Sequence, residues 1–127
     1  MILDSSFLVS LFLLNDTQHE KAVRLLEKHK KSPLIVLDRV LEEVFTVVCY
    51  KTGYQTAERV LHLLGSTDKV MIYPITLGEQ KEIFALAAIE KKKMGCVDYC
   101  VIYFAKQFRM NVLCFDKQIL SLLKKSH

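Results

Sequence analysis

The segment that most limits how this chain can fold is GCVDYCVIYFAKQFRMNVLCFD, from Gly95 to Asp116. It reads as a helix from near Asp98 to about Phe108, a tight connection, and a buried strand from Asn111 to Phe115 that stops at Asp116. A helix of roughly eleven residues at about 1.5 Å rise and a strand of about five at about 3.3 Å both span roughly 16 Å. A chain that descends the helix climbs back along the strand, so Asp98 and Asp116 finish on one edge. Carboxylates gathered by a fold repel one another unless a cation sits between them.

The remaining chain alternates strands and helices. Met1-Ile2-Leu3 is a short buried strand ending at Asp4, and Ser5 and Ser6 are placed to cap the next helix, from about Ser6 to Leu14. That helix is apolar on nearly every side and must be covered all round. The expectation is a homodimer that uses Phe7, Leu8, Leu11 and Phe12. Asn15-Asp16-Thr17 breaks the pattern and caps a second helix, His19 to Lys30, with His19 exposed or capping. Leu34 to Leu37 is a continuous apolar run suited to a strand buried on both faces. Asp38 reads as the cap of a helix reaching about Lys51 and stopped by Gly53. Another helix runs from about Thr56 to Leu64 and closes at Gly65, and Val70 to Tyr73 is a strand ended by Pro74. A long helix, Leu77 to Lys93 with Ile83, Leu86, Ala87 and Ile89 inward, ends at Gly95, and Gln118 to Lys125 is a short final helix.

Strands separated by helices specify an α/β fold, a parallel sheet with helices on both faces. The carboxyl ends of such strands share one edge, where ligands bind. Asp4 ends the first strand, Asp38 the second and Asp116 the last, so the acids collect there. On the helix after Asp38, Glu43 lies nearer than Glu42 to the margin of the stripe formed by Val40, Leu41, Val44, Phe45, Val47 and Val48. Glu43 can lean into a cleft, and Glu42 reads as solvated.

The 127 residues, 51% of them hydrophobic, suit one domain spanning 1–127. No apolar run is long enough to cross a bilayer and no basic segment opens a signal peptide, so the expectation is a cytoplasmic protein without a membrane partner. Cys49, Cys96, Cys100 and Cys114 lie in apolar segments and read as small buried hydrophobes. The net charge of +4 is concentrated at Lys28, Lys30 and Lys31, at Lys91 to Lys93, and at Lys124 and Lys125. Each cluster closes an expected helix, where cations suit the dipole. The same clusters also suit a basic surround for a polyanion such as RNA.

The segments I-L-D-S-S-F at the start, V-L-E-E-V-F after the second strand, V-D-Y-C-V-I-Y-F-A in the late helix and V-L-C-F-D-K closing the last strand resemble the PIN-domain family, and most of all its VapC type of toxin ribonuclease. The likeness runs through essentially the whole chain in order. It implies a three-layer α/β/α sandwich around a parallel sheet of four to five strands. It also implies a metal-dependent endoribonuclease that hydrolyses RNA phosphodiester bonds and is held in check by a small antitoxin protein. Carried over by position, the family's acidic site falls on Asp4, Glu43, Asp98 and Asp116. Mg²⁺ or Mn²⁺ would suit these oxygen ligands, with Asp4 and Asp98 direct and with Glu43 and Asp116 holding metal-bound waters or a second ion. The family commonly has Thr or Ser where this chain has Cys114. Tyr99 and Tyr103 suit either the core or stacking on a base. Two alternatives stay open, an RNA-processing PIN nuclease and a non-catalytic RNA-binding PIN module. A signalling receiver is disfavoured, because Asp4 is followed by Ser5-Ser6 and Tyr73 by Pro74.

Overall fold

Two very short strands decide the architecture. In the computed structural model, which describes residues 1–125, β1 (Ile2–Leu3) lies between β2 (Leu34–Leu37) and β4 (Val112–Leu113), and β3 (Val70–Tyr73) pairs with the far side of β2. The sheet is parallel throughout, in the order β3-β2-β1-β4. Ile2 faces both Ile35 and Val112, and Leu3 faces Leu113. The order reverses beside β1: the chain steps outward to β3 and then returns to lay β4 on the other flank. Where order reverses, the crossovers on either side diverge and leave a crevice beyond the strands' carboxyl ends.

Helices complete the α/β/α arrangement. α1 (Ser5–Phe12) packs on α2 (His19–His29) and on α3 (Asp38–Thr52). α3 pairs with α4 (Tyr54–Ser66), and α6 (Cys96–Phe108) lies between α5 (Leu77–Glu90) and α7 (Lys117–Lys125). The core runs from Ile2, Leu3 and Phe7 through Val36, Val40 and Val44 to Ile102, Phe104 and Ile119, all buried. Tyr73 and Phe104 meet with ring centroids 5.0 Å apart, which helps seat α6 against the sheet.

Several expectations are corrected here. Phe7 and Leu8 are fully buried within one chain by α1's neighbours, so they are not available to a second copy, and Leu11 and Phe12 are half-buried. α4 runs through Gly65, and α5 stops at Glu90, where Lys91 takes a left-handed turn with φ 53°. Ile89 faces solvent rather than the core. Cys96 is exposed and Cys49 half-buried, whereas Cys100 and Cys114 are buried as expected. β4 spans two residues rather than five, because β1 offers only two to pair with.

Gly53 joins α3 to α4 at φ 99° and ψ 167°, a region open essentially to glycine alone, and a Cβ there would meet no atom within 4 Å. Gly53→Ala is therefore a test of backbone strain without a clash. It is expected to lower unfolding free energy by about 1–3 kcal/mol, read as a shifted urea midpoint at unchanged slope; an unchanged midpoint contradicts the assignment.

Candidate active site

Asp4 leaves the end of β1 with 1% of its surface in solvent. Its amide donates to the Leu113 carbonyl at 3.0 Å, which ties it directly to β4. Asp4 itself, not Ser5 or Ser6, is the N-cap of α1: its Oδ2 accepts from the Ser6 amide at 3.2 Å and from the Ser6 hydroxyl at 2.7 Å. Ser6 Oγ accepts in turn from the Phe115 amide at 3.0 Å, so one hydroxyl links the ends of β1 and β4. The other oxygen, Asp4 Oδ1, is buried and has no hydrogen-bond partner among the described residues. Burial raises the Asp4 carboxyl above its ordinary range, against the opposing pull of the Ser6 bonds.

The remaining acids are each fixed by a local partner. Asp98, in the first turn of α6, accepts from the Gly95 amide at 3.2 Å, one half of a capping box whose glycine has no side chain to return the bond. Asp116 Oδ1 accepts from the amides of Gln118 at 2.8 Å and Ile119 at 3.2 Å, capping α7. The Cys114 thiol accepts from the Asp116 amide at 3.1 Å and donates to the Asp116 carbonyl at 3.4 Å. Burial pushes that thiol up to about 12, so it stays a neutral group that shapes the turn. Glu43 accepts from the Ser5 hydroxyl.

Asp4, Glu43, Asp98 and Asp116 line one open cleft of about 450 Å³. Asp98 registers the gathering: its carboxyl is pushed up to about 6 by burial first, then by the charges of Asp4, Asp116 and Glu43. On α3, Glu43, Val47 and Lys51 reach the cleft at intervals of four, the spacing of a single helix face. Sequence reasoning missed Lys51, which continuing the helical wheel from Glu43 would have found. It also missed Asp16, which lines the rim from the loop before α2; those residues read as a break and a cap, but the N-cap of α2 is Gln18, whose amide donates to Asp16 Oδ1 at 2.8 Å. The Lys21 ammonium lies 5.6 Å from the centre of the Phe115 ring, another cleft-lining residue.

Other candidates go elsewhere. Asp38 caps nothing: its Oδ2 accepts from the Ile75 amide at 3.2 Å, and its Oδ1 is buried without a partner among the described residues. Glu42 is exposed and borders a neighbouring cavity of about 300 Å³ that also touches Glu43. His19 is half-buried, its Nδ1 lying 3.0 Å from the Ser10 carbonyl. Tyr99 is buried and its hydroxyl bonds both backbone groups of Lys92, while Tyr103 bonds Glu82; both are structural contacts. Among the described residues, no three His, Cys, Asp or Glu side chains stand as a ready-made metal cage.

A model of the PIN domain family matches residues 1–124. The chain belongs to the PIN domain family. Solved structures that resemble this PIN chain include Mycobacterium tuberculosis VapC20, described as a sarcin-ricin loop cleaving toxin, at a TM-score of 0.85 and 19% identity, over 95% of this chain and 93% of that one. At that identity the likeness shows a shared fold. No curated protein matches the sequence.

A carboxyl whose folded pKa exceeds its unfolded value holds its proton more tightly when folded, so its charge costs stability at high pH. For Asp98 the cost is full above about 6 and disappears as pH falls below the ordinary 3.8, and Asp4 acts in the same direction. The metal-free PIN chain is therefore expected to melt at a higher temperature at pH 5 than at pH 7.5. Asp98→Asn should raise the melting temperature at pH 7.5 and flatten that slope. Differential scanning calorimetry reads both, and an Asn variant less stable at pH 7.5 contradicts the repulsion.

Proposed function

We propose that this PIN chain is a metal-dependent endoribonuclease that hydrolyses RNA phosphodiester bonds, acting as the toxin of a toxin–antitoxin pair. The observation that carries the reading is the convergence of four carboxylates on one cleft at the switch point of the sheet, one of them buried with an unpartnered oxygen. Such a cleft repels a phosphodiester unless its charge is offset. VapC20, on the same fold, is described as a sarcin-ricin loop cleaving toxin, which supports the choice of substrate class.

The donor set fits a hard divalent cation. All four side chains offer carboxylate oxygens, and Mg²⁺ or Mn²⁺ keeps several waters and needs only one or two protein ligands. Asp4 Oδ1, buried and without a partner among the described residues, is an oxygen that can take one. We assign Asp4 and Asp98 as direct ligands and give Glu43 and Asp116 the task of holding water or a second ion. When bound, the cation lowers the pKa of a water and offsets charge building on the phosphate. The chain's own residues orient the acids: Ser6 holds Asp4, Ser5 holds Glu43, the Gly95 amide holds Asp98, and the start of α7 with Cys114 holds Asp116. Lys51 at the rim supplies positive charge for the RNA backbone.

The same reading places the protein in the cytoplasm, as a homodimer bound by an antitoxin. No helix among the described residues is long and apolar enough to cross a membrane. Tyr50 and Leu14 hold 89% and 83% of their surface in solvent and give partners apolar area to cover.

Incubation of single-stranded RNA with the protein and Mn²⁺ or Mg²⁺ should yield cleavage that a chelator stops. Asp4→Asn and Asp98→Asn should each cut the rate by more than the roughly 10–100-fold that losing a ligand's supporting residue costs, with circular dichroism unchanged. Cleavage that survives both substitutions, or that persists in chelator, overturns the reading.

A further inference from the structure

The cavity of about 300 Å³ beside the acidic cleft shares Glu43 with it, yet the reaction proposed above makes no use of it. Ile75, Val97 and Cys100 provide apolar wall, and Arg39, Glu42 and Gln80 provide polar groups. Arg39 and Glu42 are three residues apart on α3, a spacing at which opposite charges commonly meet. They do not pair here: the one ion pair among the described residues joins Lys30 to Glu27 at 2.5 Å. Arg39 is half-buried; the Cys100 thiol on another wall is pushed up to about 12, by burial first, with Arg39 pulling the other way. An arginine and a glutamate that do not pair with each other thus border one small space.

That pair of opposite charges selects a ligand. A phosphate would satisfy the guanidinium but be repelled by Glu42 and Glu43. Guanine presents two acceptors, O6 and N7, on one edge, which suit an arginine fork, and donors at N1 and N2 on another, which suit a carboxylate. Adenine places an amino donor where the arginine needs an acceptor. The volume lies at the small end for ligand pockets, fitting a single base, and RNA is commonly read through bases splayed out of the stack.

We propose that this cavity is a guanine-binding subsite for a base flanking the scissile phosphate, with Arg39 on the O6 and N7 edge and Glu42 on the N1–H and N2–H₂ donors. Its place beside the cut rests on the ribonuclease reading, whereas its preference for guanine does not. Titration of the metal-free full chain with GMP, AMP, CMP or UMP, followed by backbone amide NMR, separates the two, since the ribose phosphate is common to all four. GMP should bind at least about tenfold more tightly than the others, with shifts at Arg39, Gln80 and Val97. Arg39→Ala and Glu42→Gln should each weaken GMP by about tenfold or more, and Arg39→Lys should recover only part, having lost the planar fork. Glu42 is exposed, so its substitution reads the site without threatening the fold. Equal affinities for the four nucleotides, or shifts confined to the acidic cleft, overturn the proposal.

A second arm uses Mn²⁺ and oligouridylates carrying one guanosine at successive positions. Cleavage should move with the guanosine, and Arg39→Ala should raise KM more than it lowers kcat. Guanine-selective binding without cleavage keeps the subsite and removes the nuclease reading. Cleavage indifferent to the guanosine keeps the nuclease and removes the subsite.

Discussion

A carboxylate buried at the end of the interior strand β1, with one oxygen unpartnered among the described residues, is the constraint on which this structure turns. Asp4 follows a two-residue strand whose backbone is held on both sides, with Ile2 donating to the Asn111 carbonyl at 2.9 Å and Ile35 donating to that of Met1 at 2.9 Å. It therefore has little freedom to swing toward water. Leaving a charge there is expensive unless something pairs with it. The other three acids add repulsion to that cost, so the cleft is arranged against the stability of the isolated chain and in favour of a cationic guest.

The fold tolerates this because three of the four acids also do structural work. Asp4 caps α1, Asp98 holds the turn before α6, and Asp116 caps α7. A carboxylate at a helix N-terminus meets unpaired amides and the positive end of the dipole, which partly offsets repulsion from its neighbours. Glu43, in the body of α3, has no such help and takes a hydroxyl donor from Ser5 instead. Capping and catalysis are thus not competing explanations for these residues. One carboxylate oxygen can serve the helix while the other faces the cleft.

The strands β2 and β3 were legible to the residue, because Pro33 and Pro74 punctuate runs with no polar interruption. Elements set by tertiary contacts were not. A helical glycine costs only about 1 kcal/mol relative to alanine, and Gly65 sits in α4's last turn, beside buried Leu64. α5 ends early because the chain must turn for the Tyr99 hydroxyl to reach Lys92, a contact no local pattern announces. Asp38 looked like a cap, yet its partner is the amide of Ile75, 37 residues away. α1 looked like a dimer face because its apolar surround is real; Phe7 and Leu8 are covered within the chain, while Leu11 and Phe12 stay half-buried. The convergence of the acids was readable from strand ends and helix length, since parallel topology alone puts those termini on one edge. The cavity that joins Arg39 to residues of α5 and α6 was not, because it is made by packing between elements distant in sequence.

The most direct test of the account is a crystal structure grown in Mn²⁺, with anomalous diffraction used to place the metal. The account predicts a strong anomalous peak bonded to Asp4 Oδ1 and to Asp98, with Glu43 and Asp116 reaching it through water or a second ion. A cleft that stays free of Mn²⁺ at concentrations supporting cleavage, or a peak bound elsewhere on the molecule, would contradict it.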